Sequence, residues 1–187
     1  MRANAGALIE VEDLQLDFTQ VTDTGLRALL GLPKLKHLCL DSRQVTRTSV
    51  TYLSQLPDLE ELTFWTTQVD HDSLDYLDEL PNLTSLTICY TTIADGSLRH
   101  LRKLDRVKHL RLGECQLSEA DLANLAAMSN LRTVDLWNTK ITDAAIVHLE
   151  NLHQLTFLNI VSTGITAEGA ERLKEALPDC YIAPSDW

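Results

Sequence analysis

Apolar residues recur in this chain at a fixed interval of 24 positions, seven times in succession, without an insertion or a deletion. Seven columns of the repeat are apolar at all 49 positions, although only 44% of the whole chain is hydrophobic; they begin at Val11, Leu14, Leu16, Val21, Leu26, Leu29 and Leu32. A fixed period of about 20 to 29 residues is typical of a solenoid, in which each unit packs only against its neighbours. The period therefore constrains the fold far more than it constrains function.

Each repeat contains the pattern of one strand and one helix. In residues 35–58, Leu38 and Leu40 alternate with polar residues as in a half-buried strand, and Val50 and Leu53 follow at helical spacing. Good N-cap residues precede the helical part of six repeats: Thr22, Thr46, Asp70, Ser118, Thr142 and Thr166, with Ala94 as the exception. Such units, stacked in register, predict a parallel sheet on one side and helices on the other.

The stretch from Leu131 to Asp143, together with its equivalents, follows L-x-x-L-x-L-x-x-T-x-I-T-D-x-G-L and resembles the leucine-rich-repeat family. The resemblance implies an α/β fold: a right-handed, curved solenoid of seven repeats, with the parallel β-sheet on the concave face and short helices on the convex face. The ninth position is Thr in five repeats and Cys115 in a sixth, and a hydroxyl there can bond backbone groups of the turn. The second repeat has Arg43 instead, so we expect Arg43 to point outward and residues 42–48 to form an irregular loop.

The repeats cover residues 11–178, which predicts a single domain with terminal caps. Residues 179–187 are expected to form a C-terminal cap, because Ile182 continues the strand register and Pro184 cannot extend a ladder. Residues 1–10 are either an N-terminal cap or the remnant of a preceding repeat, and the second alternative predicts further sequence upstream.

Composition narrows the classes of partner. A net charge of −11 argues against nucleic-acid binding, which requires clustered Lys and Arg. No apolar run approaches the roughly 18 residues of a membrane span, and no cofactor or metal motif is present. The four cysteines lie far apart, which favours free thiols and a cytoplasmic location, although a fragment of a larger secreted protein stays an alternative. We also expect a monomer.

Candidate binding residues occupy the outward strand positions, which core packing does not determine. Trp65 and Trp137 share one column about 14 Å apart, and Tyr90 lies between them in the adjacent column. Exposed Trp and Tyr are enriched at interface hot spots; alternatively, each ring covers small neighbours and stiffens the sheet. The predicted partner-binding set is Trp65, Tyr90, Trp137, His37, Glu61, Arg111, Asp135, Asn138 and Phe157.

Charge is unevenly distributed over the same face. The first three repeats carry six carboxylates against one lysine: Glu12, Asp13, Asp17, Asp41, Glu60 and Glu61 against Lys36. A partner with a basic segment would be favoured there, and a merely solvated acidic face is the alternative.

Catalysis is the third possibility. His37 and Cys39 both point outward from one strand, as a Cys–His nucleophile would require, but no carboxylate is evident as an orienting group and an open sheet offers no enclosed pocket. We therefore expect a non-catalytic protein-interaction module. The alternatives are a substrate-recognition or targeting segment of a larger protein, such as a ubiquitin-ligase receptor, and, more remotely, a Cys/His hydrolase.

Overall fold

The computed structural model describes residues 9–91 and 96–183. Eight short strands form one parallel sheet in chain order: β1 (Asp13–Leu16), β2 (His37–Asp41), β3 (Glu61–Trp65), β4 (Ser85–Cys89), β5 (His109–Arg111), β6 (Thr133–Asp135), β7 (Phe157–Asn159) and β8 (Tyr181–Ala183). Each residue pairs with the residue 24 positions further on, so Leu14 pairs with Leu38 and Leu38 with Leu62. The sequence period is therefore the sheet register.

Short helical segments connect the strands. The α-helices are α1 (Asp23–Leu26), α2 (Arg47–Leu53), α3 (Glu119–Leu122), α4 (Ile146–Leu149) and α5 (Ala167–Ala176). The 3₁₀ segments are Arg27–Gly31, His71–Glu79, Ser97–Lys103, Ala123–Ala127 and Asp143–Ala145. All six predicted N-caps are confirmed, and Asp70 and Ser118 each form a reciprocal capping box. Ala94 lies outside the described residues.

The apolar grid forms one continuous core between the sheet and the helical side. Every grid residue that the structure describes is buried, except five that are partly buried and pack against the core: Val11, Leu14, Leu16, Val21 and Ala176. Four of these five belong to the first repeat, which has only one neighbouring repeat among the described residues. The predicted α/β solenoid, with a parallel sheet and short helices, is confirmed.

In four repeats the ninth-position hydroxyl bonds the turn that follows the strand. Thr19, Thr139 and Thr163 each donate through Oγ1 to the carbonyl oxygen three residues earlier, at 2.7 Å, and Thr91 donates to the Cys89 carbonyl at 3.1 Å. Thr67 differs, since its buried Oγ1 has no hydrogen-bond partner in the part of the chain that the structure describes. The predicted backbone bond is thus confirmed in four repeats and wrong at Thr67.

The second repeat is irregular, but over a shorter segment than predicted. Arg43 is exposed, as expected, whereas residues 47–48 belong to α2, so the prediction of a loop over 42–48 is wrong at its end. The cap at Thr46 explains this, because its side chain accepts from the Thr48 amide and starts the helix there. Ser42 compensates for the missing ninth-position hydroxyl: it is 5% exposed, donates through Oγ to the Val21 carbonyl at 2.8 Å and accepts from the Gln44 amide at 3.2 Å.

The C-terminal end continues the ladder. Ile182 pairs with Leu158, which confirms the predicted register of β8. Pro184 and residues 1–8 lie outside the described residues, so the domain boundaries at residues 10 and 178 stay predictions.

Candidate functional site

The sheet has one face toward the core and one face turned away from it, which we call the sheet face. In β2, Leu38 and Leu40 are buried, whereas His37, Cys39 and Asp41 on the sheet face are partly exposed. The alternation expected of a half-buried strand is therefore present, and the predicted binding columns do lie on the accessible side.

Three aromatic side chains on the sheet face form a continuous contact, which we call the aromatic ridge: Trp65, Tyr90 and Trp137. The rings of Trp65 and Tyr90 are stacked with centroids 5.2 Å apart, and Tyr90 meets Trp137 edge-on at 6.4 Å. Trp65 is 37% exposed and Tyr90 43%, while Trp137 is half-buried. The sequence placed Tyr90 between the two tryptophans, and the structure brings all three rings together.

Gly113 makes room for part of this ridge. A Cβ atom at Gly113 would lie 3.3 Å from Cε3 of Trp137 and 3.8 Å from Sγ of Cys89. Trp137 therefore covers a glycine, in line with the alternative interpretation that its ring stiffens the sheet. Trp65 and Tyr90 are more exposed, although Cys89, which pairs with Trp65 across the sheet, is only 7% exposed.

Tyr90 lies at a turn position that follows the strand by one to three residues in most repeats. In six repeats the residue at this position has a left-handed backbone: Phe18, Thr66, Tyr90, Glu114, Asn138 and Ser162, with φ between 49° and 58°. That conformation suits Asn and Gly and is unfavourable for large aromatic residues. Phe18 and Tyr90 thus occupy positions that backbone geometry alone would not assign to an aromatic side chain.

Phe18 is a candidate residue that the sequence prediction missed. Its side chain is 94% exposed. With Trp65 and Tyr90 it lines a groove of about 480 Å³ whose other walls include Asp17 and Asp41. The signal available in the sequence was the presence of Phe at a turn position, outside the apolar grid.

The first three repeats form an acidic region around this groove. Lys36 pairs with Glu12 at 2.9 Å, but Asp17, Asp41 and Glu61 have no Lys or Arg partner among residues 9–91 and 96–183. Asp17 accepts from the Cys39 thiol at 2.8 Å, and Asp41 accepts from the hydroxyl of Thr66. Asp17 and Asp41 thus accept hydrogen bonds from neutral groups, and no Lys or Arg side chain in the described ranges pairs with them.

His37 and Cys39 do not have the geometry of a nucleophile and its base. The expectation that no carboxylate orients His37 is wrong, because Nδ1 of His37 is hydrogen-bonded to Oδ1 of Asp13. Cys39, however, donates to Asp17 rather than to His37. Burial, this hydrogen bond and the charges of Asp17 and Asp41 raise the pKa of the Cys39 thiol to about 12. A thiol with that pKa stays protonated at neutral pH and is a poor nucleophile.

The remaining predicted residues divide between the ridge and the C-terminal end. Arg111 and Asp135 form a loose ion pair at 3.8 Å, and Asp135 also accepts from the Trp137 amide at 3.0 Å. Asn138 donates to a carboxylate oxygen of Glu114. Phe157 lies apart from the ridge and stacks on Tyr181, with centroids 5.9 Å apart.

The sequence prediction missed Tyr181, although its position is 24 residues after Phe157 and it is 66% exposed.

Within the described ranges, no group of three His, Cys, Asp or Glu residues is placed to hold a metal ion. All four cysteines are free thiols. No helix among the described residues is both long and apolar enough to cross a membrane.

Comparisons with known proteins agree with this architecture. A family model described as a leucine-rich repeat matches residues 151–174. A comparison with curated proteins found no match. Internalin C2 of Listeria monocytogenes is structurally similar with a TM-score of 0.69 and 24% identity, over 97% of this chain and 74% of that chain.

Two further solved structures are similar over nearly all of this chain. An internalin (InlF) of the same organism has a TM-score of 0.54 and 21% identity, over 98% of this chain and 63% of that chain. A leucine-rich-repeat protein of Leptospira interrogans has a TM-score of 0.60 and 18% identity, over 95% of this chain and 50% of that chain. The chain thus spans less than two thirds of the length of these two structures, and the likenesses concern the fold.

Proposed function

We propose that this chain, a leucine-rich-repeat protein by its 24-residue period and its fold, is a non-catalytic module that binds a protein or peptide on its sheet face. The observation that carries the proposal is the aromatic ridge. Three large rings from different repeats contact one another on the accessible face of the sheet, outside the core.

The ridge has the properties of an interface hot spot. Trp and Tyr supply large apolar area with few rotatable bonds, and they dominate binding energy at many interfaces. The mutual contacts of Trp65, Tyr90 and Trp137 hold these rings in place before a partner arrives. Such preorganisation reduces the entropy lost on binding.

The acidic region next to the ridge supports a partner that contains a basic segment. Asp17, Asp41 and Glu61 lie on the same face, without a Lys or Arg partner in the described part of the chain. Complementary charge would accelerate association and fix the direction in which a peptide lies along the strands.

The proposal is tested with a phage-displayed library of random 12-residue peptides, selected on the purified protein. Selected peptides are synthesised, and their affinity is measured for the wild type and for a variant carrying both Trp65→Ala and Trp137→Ala. We expect the double substitution to weaken binding by at least about tenfold, since a hot-spot residue contributes more than about 1 kcal/mol.

A matched control carries Leu30→Ala and Val147→Ala, two exposed apolar residues of the helical segments. This variant should keep full affinity, and thermal melting should show all three proteins folded. If the library yields no binding peptide, or if the peptides bind the double tryptophan variant as tightly as the wild type, the proposed function is wrong.

We also propose a reducing compartment such as the cytoplasm, and a monomeric state. The support for the first is that all four cysteines are free and three of them are buried. Alkylation of unpurified cell extract, followed by mass spectrometry, should find all four thiols reduced; a disulfide would contradict this location. Sedimentation velocity should give the mass of one chain.

A further inference from the structure

We infer that the groove between Phe18, Trp65 and Tyr90, with Asp17 and Asp41 at its wall, binds the guanidinium group of an arginine side chain of the partner. The inference rests on the proposed function, because it assigns the chemistry of one anchor residue of the bound peptide. It is nevertheless testable without knowledge of the partner.

The groove lies at the carboxyl ends of the first four strands. It has a volume of about 480 Å³, and its seven lining residues include three aromatic rings and two carboxylates. This combination is selective for a cation, since the faces of aromatic rings attract positive charge and carboxylates pair with it. An acidic or purely apolar side chain would leave the carboxylates desolvated without a partner.

Two of the aromatic rings occupy the turn position that has a left-handed backbone in six repeats. Phe18 and Tyr90 both have φ of 53°, a left-handed conformation that is unfavourable for bulky side chains. Phe18 is 94% exposed, so the core gains nothing from its ring. Because Trp65 and Tyr90 stack on one another, each ring has one face that the other does not cover.

The two carboxylates come from equivalent positions of neighbouring repeats. Asp41 is the last residue of β2 and Asp17 directly follows β1; because Leu16 pairs with Leu40, the backbones of the two aspartates are about one strand spacing, roughly 4.8 Å, apart. Their hydrogen-bond donors are the Cys39 thiol and the Thr66 hydroxyl, which are both neutral. Each carboxylate therefore has further acceptor capacity for an incoming donor.

The negative potential of the groove is evident at its wall. The pKa of the Cys39 thiol is raised to about 12 first by burial, then by the hydrogen bond to Asp17 and by the charges of Asp17 and Asp41. Burial disfavours any charge there, whereas the contributions of the two carboxylates disfavour a thiolate and favour a cation.

Arginine fits better than lysine. Its guanidinium is planar, stacks on aromatic faces and presents five donors that can reach two carboxylates at once. A lysine ammonium is more strongly hydrated and acts as a point charge, so it gains less from flat rings. The geometry thus favours arginine among the basic side chains.

The test uses ¹⁵N-labelled protein and small probes in an NMR titration. The indole Nε1–H signal of Trp65 is assigned with Trp65→Phe, and N-acetyl-arginine amide is compared with N-acetyl-citrulline amide, its uncharged isostere. We expect a saturable shift of the Trp65 signal with the arginine probe and at least about fivefold weaker binding of the citrulline probe.

Substitutions within the groove should reduce affinity for the arginine probe. Asp17→Asn, Asp41→Asn and Phe18→Ala are each expected to weaken it by about threefold. Asp78→Asn is the control, because this carboxylate lies in the 3₁₀ segment His71–Glu79, outside the groove, and is paired with Lys103 at 3.0 Å. Phe18→Ala keeps the test valid if an aspartate variant is unstable, since its ring is almost fully exposed.

The outcomes separate this inference from the proposed function. Equal affinity for arginine and citrulline would overturn it, as would tighter binding of N-acetyl-trimethyllysine amide, which would assign the groove to quaternary ammonium groups. If no arginine probe binds while library peptides still depend on Trp65 and Trp137, the inference fails and the proposed function stands.

Discussion

Trp137 occupies the space that a side chain at Gly113 would fill. A Cβ atom built on Gly113 would lie 3.2 Å from the carbonyl oxygen of Trp137 and 3.3 Å from Cε3 of its ring. These contacts are too close to be accommodated without a shift, so the glycine sets the position at which Trp137 meets Tyr90. One residue without a side chain therefore helps to assemble the aromatic ridge.

Gly113→Ala should displace Trp137 while leaving the fold intact. We expect a clear shift of the Trp137 indole signal and severalfold weaker peptide binding, with a change in the free energy of unfolding below about 1 kcal/mol. Gly31→Ala is the control, because a Cβ atom at Gly31 would have no neighbouring atom within 4 Å among the described residues. An unchanged Trp137 signal in Gly113→Ala would refute this role of the glycine.

Thr139 and Thr67 should respond differently to the same substitution. Both are buried, but Thr139 Oγ1 donates to the Leu136 carbonyl at 2.7 Å, whereas Thr67 Oγ1 has no hydrogen-bond partner among the described residues. Thr139→Val should lower the free energy of unfolding by about 1 to 2 kcal/mol, and Thr67→Val should be neutral or stabilising. Urea denaturation of both variants measures the difference, and equal losses would contradict it.

Asp23 ties the first two repeats together in a pH-dependent way. It accepts from the amide of Thr46 at 2.9 Å and from its hydroxyl at 2.7 Å, and also from the Ser49 hydroxyl. Burial raises the pKa of Asp23, but the hydrogen bonds from Ser49 and Thr46 outweigh it, so the pKa lies below its ordinary value.

A carboxyl group whose pKa is lower in the folded state stabilises the fold above its unfolded pKa, near 4, and loses this contribution as the pH falls through the folded value. Asp23→Asn should therefore lower the free energy of unfolding at pH 7 by about 1 to 2 kcal/mol, and the difference from wild type should shrink below about pH 4. The exposed residue Asp58 offers a control, since Asp58→Asn should leave the pH profile unchanged.

Cys39 should be an unreactive thiol. With a pKa of about 12, caused by burial and by Asp17 and Asp41, its thiolate fraction at pH 8 is about 10⁻⁴. Alkylation by iodoacetamide, followed at the Cys39 peptide by mass spectrometry, should be at least about tenfold slower than for a free cysteine peptide. Asp17→Asn should accelerate it by removing the negative charge next to the thiol. Rapid labelling of the wild type would revive the nucleophile hypothesis.

The 24-residue period contains more information about the candidate site than the sequence analysis used. A shift of 24 residues predicts strand register, and the same shift places Asp13 beside His37 and Phe157 beside Tyr181, two contacts that were within reach of the sequence. The left-handed turn at Phe18 and Tyr90 could not be predicted from the sequence, because aromatic side chains do not indicate positive φ. The groove could not be predicted from the sequence either, because it depends on how the rings of several repeats pack against one another.

Ser42 shows how one repeat compensates for a deviation from the period. Its hydroxyl makes two hydrogen bonds, with the Val21 carbonyl and the Gln44 amide, in the repeat where Arg43 replaces the ninth-position threonine. Ser42→Ala should lower the free energy of unfolding by about 1 to 2 kcal/mol. The equivalent residue Ser162 is exposed and has φ of 56°, so Ser162→Ala should change it by less than about 0.5 kcal/mol.

Arg43→Thr completes this comparison, because it restores the residue type found at most ninth positions. Arg43 is exposed, so its removal should cost little by itself, and the new hydroxyl should make Ser42→Ala less damaging in the double variant. Chemical denaturation of the two single variants and the double variant gives the coupling energy. Strict additivity of the two substitutions would mean that Ser42 does not substitute for the missing threonine.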